Sequence, residues 1–173
     1  MKPICNFNYR SVFSFSGIKP YNNQEMSDTL SIVIFQGIES DWWPAVMQIR
    51  KEVFVDEQEI DLSLEFDDLE PKAHHLLVLD DGRPAGTCRF YTTEEGYKLG
   101  RFAVSKDFRG EGIGNALLQA SLSEIEEIAP EGTRVYLHAQ SYITKFYAEE
   151  GFEVKGDEFM EDGIPHVVME MAI

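Results

Sequence analysis

The segment VSKDFRGEGIGNALLQA, residues 104–120, contains three glycines within five residues and then continues as an apolar helical pattern. It follows a strand-like run, so it predicts a strand ending at Val104, a short polar link and a helix beginning near Gly112. Unpaired N–H groups and the positive end of the helix dipole meet at such a helix start. Glycine lets the backbone take positive φ values and approach a ligand closely, and Arg109 adds a cation. The segment therefore predicts an anion site with room for a pyrophosphate.

Three known phosphate-binding loops have to be distinguished at this position. A Walker loop requires GxxxxGK[ST], and no Lys-Ser or Lys-Thr follows these glycines. A dinucleotide-binding fingerprint requires GxGxxG, but Asn115 stands three residues after Gly112 and Leu117 three residues after Gly114. What remains is R-x-x-G-x-G at residues 109–114. A module that binds ATP or NAD is therefore disfavoured and is kept only as a third hypothesis.

Strand and helix patterns alternate on both sides of this segment. Apolar or alternating runs predict strands at residues 31–36, 75–79, 84–91, 97–104, 135–139, 152–154 and 166–171, and helical periods predict helices at 42–54, 112–129 and 142–150. Together they predict one α/β domain over residues 26–173. Residues 1–25 lack a sustained period and are predicted to form a poorly ordered extension, with a targeting peptide as the alternative.

Composition and charge disfavour several classes of protein. The 173 residues carry 31 acidic and 15 basic side chains, a formal charge of −16, which disfavours nucleic acid or an anionic membrane as a partner and favours a cationic small molecule. No apolar run reaches the roughly 18 residues that a membrane span requires. Two cysteines, Cys5 and Cys88, are too few for a disulfide framework, which indicates a cytoplasmic location. His74, His75 and His166 lack metal-ligand spacing, so no metal site is predicted.

The pattern R-x-x-G-x-G resembles the pyrophosphate loop of the GNAT acyl-CoA N-acyltransferases. Two further segments resemble that family in the right order: LGRFAV (99–104) its strand before the loop, and KFYAEEGFEV (145–154) its late helix with a Tyr-x-x-x-Gly-Phe signature. Three more resemble an uncharacterised bacterial branch of the family: IRKEVFVDEQ (49–58), LHAQ (137–140) and EFMEDGIPHVVME (158–170). The resemblance covers residues 31–171. It implies the GNAT fold, an α/β (α+β) domain with a mixed, mostly antiparallel sheet and helices on both faces.

The resemblance also implies how acetyl-CoA binds. The coenzyme pyrophosphate would be held mostly by main-chain amides of the glycine loop. A splay between strands 97–104 and 135–139 would admit the pantetheine arm, and a backbone N–H of the first of these strands would polarise the thioester carbonyl. The cofactor-binding residues implied in this way are Phe102, Ala103, Val104, Arg109, Gly110, Gly112, Ile113, Gly114 and Asn115.

The resemblance also suggests which residues catalyse the reaction. Tyr147 lies four residues before Gly151, where the family has its general acid, so the resemblance implies that its phenol protonates the leaving sulfur. The alternative for Tyr147 is a core aromatic, because it shares a helix face with Ile143. The general base is harder to assign because acidic residues are frequent. Glu65 and His138 are the candidates for that base, and Glu57 and Asp67 stay open as well.

The predicted function is an N-acetyltransferase that moves an acetyl group from acetyl-CoA to a primary amine by direct attack in a ternary complex. The amine acceptor is expected to be small and cationic, and Arg50 and Gln58 are expected to contact it. Cys88 could carry the acyl group in a two-step route, but a buried, inert thiol is favoured. The alternative function is a non-catalytic module that binds acyl-CoA and reports its level. Exposed sheet edges could pair two copies, so the sequence also allows a homodimer.

Overall fold

The computed structural model describes Arg10–Ser14 and residues 30–173, and its strands form one eight-stranded sheet in the order β1-β2-β3-β4-β5-β6-β8-β7. The strands are β1 (Arg10–Ser14), β2 (Leu30–Gln36), β3 (His74–Asp80), β4 (Arg83–Thr93), β5 (Gly96–Val104), β6 (Arg134–Gln140), β7 (Glu153–Glu161) and β8 (Ile164–Ala172). Neighbouring strands pair antiparallel except β5 and β6, which are parallel. The predicted mixed, mostly antiparallel sheet is therefore confirmed. The predicted extension, residues 1–25, lies outside the described residues except for β1, which pairs with β2.

In residues 30–173, four α-helices connect these strands: α1 (Trp43–Arg50), α2 (Leu62–Glu65), α3 (Ile113–Ile128) and α4 (Thr144–Glu149). The predicted helix at 42–54 is α1 followed by a π-helical segment, Lys51–Glu57, that carries the chain toward the glycine loop. The sequence patterns did not predict α2, which is one turn long and begins where the Asp61 carboxylate accepts a hydrogen bond from the Ser63 amide at 2.8 Å. Within the described ranges, no helix is long and apolar enough to cross a membrane.

The sheet has a hydrophobic core on each face because its central strands are apolar on both sides. In β2, Ile32 and Ile34 point toward α3, whereas Val33 and Phe35 point toward α1. This two-residue alternation follows from the pleat of a strand, and each fully buried large aliphatic side chain contributes roughly 1.5–3 kcal/mol. The prediction of helices on both faces is therefore confirmed.

Gly86 on β4 determines how closely α3 approaches the sheet. A β-carbon at this position would lie 2.7 Å from Cγ2 of Ile113 and 3.1 Å from the carbonyl oxygen of Ala103. Both distances are shorter than ordinary van der Waals contacts. The absent side chain of Gly86 thus lets the first turn of α3 pack directly on β4 and β5.

The strands β5 and β6 separate after a short paired start. Their register consists of Tyr97 opposite Val135 and Lys98 opposite Tyr136, whereas β6 pairs with β8 from Arg134 to Gln140. Beyond Lys98, no strand of residues 10–14 or 30–173 continues the ladder on the β6 side of β5. The result is a V-shaped gap that opens toward the carboxyl ends of the two parallel strands.

A β-bulge lies in β5 beside this gap. Gly100 pairs with Arg89 and Ala103 with Thr87, so that one residue of β4 lies opposite two residues of β5. Arg101, inside the bulge, has a φ of +55°, which is uncommon for a residue with a side chain. The extra residue increases the local twist and changes the direction in which the following side chains point.

Candidate active site

The glycine loop joins the carboxyl end of β5 to the start of α3. Gly110 has a φ of 86° and Gly112, the residue before the helix, a φ of 80°, so both adopt the positive values that the sequence predicted. Gly114 differs from that prediction because it lies inside α3. A β-carbon on Gly114 would lie 3.5 Å from the ring of Phe146, which is ordinary van der Waals contact.

The start of α3 has free hydrogen-bond donors. No side chain caps the helix at Gly112, and the first bond within the helix runs from the Ala116 amide to the Gly112 carbonyl oxygen at 3.0 Å. The amides of Ile113, Gly114 and Asn115 have no acceptor within the helix. Together with the positive dipole end, they form a site suited to an anion.

Arg109 connects this loop to neighbouring parts of the chain. Its Nε donates to the Val104 carbonyl oxygen at 3.0 Å, and its Nη2 lies 2.7 Å from a carboxylate oxygen of Glu57. Because Glu57 ends the π-helical segment, this ion pair holds the segment against the loop. An anion bound at the start of α3 would compete with Glu57 for the guanidinium.

One cavity, with a volume of about 610 Å³, runs along the gap between β5 and β6. Such a volume is within the range of small-molecule sites. Among the predicted site residues, those that line it are Gln58, Glu65, Phe102, Val104, Arg109, Gly114, His138 and Tyr147. The others do not line it: Arg50, Ala103, Gly110, Gly112, Ile113 and Asn115. The structure thus brings the acid candidate, both base candidates and part of the loop together around one space.

Tyr147, on α4, lies at the wall of the cavity among aromatic rings. Its ring centroid is 5.9 Å from that of Phe102, 4.8 Å from Phe146 and 6.0 Å from Phe152. Only 4% of Tyr147 is exposed, and its hydroxyl has no hydrogen bond to any described residue. Burial raises the pKa of Tyr147 well above its usual value, so the phenol keeps its proton at neutral pH.

Glu65 is buried between two arginines. Its carboxylate lies 2.5 Å from Nε of Arg50 and 3.1 Å from Nε of Arg101. Burial raises the pKa of Glu65, although both arginines act to lower it. Because each oxygen already has a guanidinium partner, these contacts disfavour Glu65 as an acceptor of a substrate proton.

Arg50 belongs to the same buried network and not to the cavity wall. It is 1% exposed, and its Nη atoms donate to the carboxylate of Glu70 at 2.7 and 3.0 Å. Arg89 shares the Oε1 oxygen of Glu70 with Arg50, at 2.5 Å, and also binds Asp67. The geometry therefore disfavours the predicted direct contact between Arg50 and a substrate, because its donors are already used inside the protein.

His138, on β6, lines the cavity beside the hairpin between β7 and β8. Its Nδ1 lies 3.0 Å from a carboxylate oxygen of Glu161, which can only accept, so Nδ1 carries the hydrogen. The neutral imidazole then has its lone pair on Nε2. The hydrogen bond from His138 holds the pKa of Glu161 below its usual value. Gln58 lies on another wall of the cavity and accepts a hydrogen bond from Gln140 at 3.1 Å.

The sequence patterns did not single out Lys98, Glu161 or a cavity role for His166. His166 is buried, lines the cavity and donates from Nδ1 to the Ile164 carbonyl oxygen at 2.8 Å. Glu161 ends β7 and meets His138 only because the β7–β8 hairpin folds back along β6. The alternation around Lys98 predicts which face of β5 carries its side chain. No sequence pattern predicts that β5 and β6 separate.

Two further expectations from the sequence concern the reactivity of Cys88 and the absence of a metal site. Burial raises the pKa of Cys88 to about 12, and its Sγ contacts Oγ of Ser121 at 3.2 Å, which disfavours an acyl-carrier role. Across the described parts of the chain, no group of three or more His, Cys, Asp and Glu side chains is arranged to hold a metal ion.

Comparisons with known proteins agree with this geometry. A sequence profile described as an acetyltransferase (GNAT) domain matches residues 45–173. The uncharacterised protein YyaT of Bacillus subtilis is 38% identical over 128 residues, covering 71% of this chain and 84% of YyaT. The uncharacterised N-acetyltransferase YjcF of the same organism is 36% identical over 125 residues, covering 70% of this chain and 86% of YjcF.

A solved structure extends the similarity to the fold. The crystal structure of an acyl-CoA N-acyltransferase from Pseudomonas aeruginosa has a TM-score of 0.74 and 30% identity, over 82% of this chain and 98% of that chain. The resemblance to the family and to its uncharacterised bacterial branch is confirmed. The chain belongs to the GNAT acetyltransferase family and is an acyltransferase enzyme.

Proposed function

We propose that this enzyme transfers an acetyl group from acetyl-CoA to a primary amine of a small acceptor, by direct attack in a ternary complex. The observation that carries the proposal is the gap between β5 and β6, which leads from the start of α3 to Tyr147 and His138 within one cavity. The related Pseudomonas aeruginosa enzyme, described as an acyl-CoA N-acyltransferase, supports the choice of donor.

The glycine loop and the start of α3 are assigned to the pyrophosphate of the coenzyme. The free amides of Ile113, Gly114 and Asn115 and the positive φ values of Gly110 and Gly112 support this assignment. Arg109 would exchange its partner Glu57 for a phosphate oxygen. Because this chemistry depends on the backbone, most side chains of the loop need not reach the cavity.

The gap between the strands is assigned to the pantetheine arm and the thioester. Phe102, Val104 and Leu137 line it with apolar surface, while the β6-facing N–H and C=O groups of β5 have no ladder partner there. An N–H beside the bulge can donate to the thioester oxygen as negative charge develops on it. Holding the amine against this carbonyl replaces an encounter in solution.

The chemical step then requires one acid and one base. The amine nitrogen attacks the carbonyl carbon, the carbon–sulfur bond breaks, and the phenol of Tyr147 gives its proton to the leaving sulfur. His138 takes a proton from the amine on Nε2, because its Nδ1–H is held by Glu161. Glu65 is left with a positioning role, since its carboxylate is engaged with Arg50 and Arg101.

Calorimetric titration with acetyl-CoA, ATP and NAD tests the donor site. We expect micromolar binding of acetyl-CoA alone, and its loss in Gly112→Asp, where a carboxylate would occupy the phosphate position. Gly82→Asp is the matched control, because Gly82 has a positive φ of 73°, as Gly112 has, and a β-carbon at Gly82 would meet open space. Binding of acetyl-CoA that both variants retain would refute the assignment of the loop.

A further inference from the structure

Two cations on β5 line the cavity on the side away from the glycine loop. Lys98 stands at the last rung between β5 and β6, and Arg101 lies in the bulge three residues later. Neither position is explained by the coenzyme, whose anionic groups are assigned to the opposite end of β5. Lys98 requires a separate explanation within the acceptor part of the cavity, and the ion pair of Arg101 with Glu65, at 3.1 Å, accounts for only part of the Arg101 guanidinium.

Lys98 is half-buried, and the part of the chain that the structure describes offers it no ion-pair partner. Its ammonium makes no hydrogen bond or ion pair with any described residue, and the field of Glu161 acts on it only from beyond ion-pair distance. Burial lowers the pKa of Lys98, and Arg101 lowers it further. A partly desolvated cation without a partner is costly, and an anionic ligand would offset that cost.

Arg101 is held so that part of its guanidinium stays available. Nε donates to the Glu65 carbonyl oxygen at 3.2 Å and Nη2 to the Leu64 carbonyl oxygen at 3.1 Å, which leaves Nη1 without a hydrogen bond to a described residue. The backbone carries this side chain at a φ of +55°, in a region that residues with a side chain rarely adopt. The fold thus maintains a strained backbone that aims an arginine into the cavity.

Carboxylates line another part of the same space. Glu161 and Asp162, at the turn between β7 and β8, both border the cavity, and Glu161 contacts His138. An ammonium group near these carboxylates would lie beside the proposed base. The cavity therefore has a place for each sign of charge. A purely cationic acceptor would leave Lys98 without a counter-ion among the described residues, and Arg101 with only its partners Glu65 and Asp67.

We infer that the acceptor is an amino acid, whose carboxylate binds Lys98 and Arg101 and whose amine faces His138 and Glu161. This inference rests on the proposed function and narrows its acceptor to a zwitterion. A carboxylate suits the site better than a phosphate, because Glu65, Glu161 and Asp162 and a net charge of −16 disfavour a dianion.

The first test measures thiol release from acetyl-CoA with amino acids, each beside its carboxamide and its decarboxylated amine. L-Lysine, lysinamide and cadaverine form one such set, and β-alanine beside O-phosphoethanolamine compares carboxylate with phosphate. We expect at least one amino acid to exceed its carboxamide by roughly tenfold or more in kcat/KM. Lys98→Met should remove most of that preference, and Lys98→Arg should retain part of it. Lys145→Met, at an exposed lysine of α4, should leave the preference unchanged.

A second test does not depend on turnover. The protein saturated with coenzyme A is titrated with N-acetyl-L-amino acids and with their carboxamides, and the backbone amide signals of β5 are followed by NMR. NMR shifts that require the carboxylate and disappear in Lys98→Met would support the subsite. If those shifts appear while no amine is acetylated, the proposed function alone is refuted. Carboxamides or decarboxylated amines that react or bind as well as the amino acids would overturn the inference and leave the proposed function standing.

Discussion

The Nδ1 atom of His138 on β6 lies 3.0 Å from a carboxylate oxygen of Glu161 at the end of β7, although 23 residues separate them in the sequence. This contact orients the imidazole with its Nε2 lone pair available, and both residues line the cavity. Glu161 thereby acts on the proposed reaction through another residue, as a positioning group.

His138→Gln should lower kcat by roughly a hundredfold or more, because it removes the proposed base. Glu161→Gln should cause a smaller loss, about tenfold, and alter the acid limb of the pH–rate profile, because the amide orients the ring without supplying a negative charge. Steady-state kinetics from pH 5 to 9 measure both effects. A larger loss in His166→Gln than in His138→Gln would assign the base to the other imidazole.

Tyr147→Phe should lower kcat by roughly a hundredfold while the Kd for acetyl-CoA changes by less than about twofold. The free energy of unfolding should change little, because the hydroxyl has no hydrogen bond to a described residue that could be lost. Kinetics, calorimetry and thermal unfolding separate these effects. Tyr91→Phe, at a tyrosine that does not line the cavity, is the control. An unchanged kcat in Tyr147→Phe would support a core role for this ring.

Arg50→Met should destabilise the protein by roughly 3–5 kcal/mol, because it leaves the carboxylates of Glu65 and Glu70 buried without their shared guanidinium. Urea unfolding at neutral pH measures this cost. Lys145→Met removes the exposed pair with Glu149 and should cost less than about 1 kcal/mol. Equal effects of the two substitutions would show that the buried network contributes no more than a surface pair.

His75 should make the protein less stable in acid. Its ring is fully buried, Nε2 lies 3.1 Å from the Glu70 carbonyl oxygen, and Nδ1 has no partner among the described residues. Burial lowers the pKa of His75 from 6.5 to about 4, although Glu70 acts to raise it. The unfolded chain therefore binds a proton at a higher pH than the folded chain does. The stability that the neutral His75 ring contributes is fully present above pH 6.5. It is lost as the pH falls toward 4, which lowers the free energy of unfolding by up to about 3 kcal/mol.

Urea unfolding at several pH values in that range should show this slope in the wild type and a reduced slope in His75→Gln. His74, whose pKa is also lowered by burial, accounts for part of what remains. An identical slope in His75→Gln would assign the acid sensitivity to other groups.

Much of the framework could be predicted from local sequence. Apart from α2, the order of strands and α-helices from β2 onward follows from periods of 2 and 3.6 residues. The positive φ values of Gly110 and Gly112 follow from glycines placed before a helix. The alternation in β6 predicts that His138 points to one face of the sheet and its neighbours Leu137 and Ala139 to the other. These features depend on interactions within a few residues, so a short segment contains the information that determines them.

Tertiary structure alone decided which residues meet at the proposed acceptor site. Three features depend on which strands adjoin and where their ladder stops: the contact between His138 and Glu161, the burial of Arg50 between Glu65 and Glu70, and the place of Lys98 at the last rung between β5 and β6. The parting of β5 and β6 and the bulge at Arg101 have no periodic signature. Such contacts join residues far apart in the chain, and a shift of one residue in register would turn each side chain to the other face of the sheet.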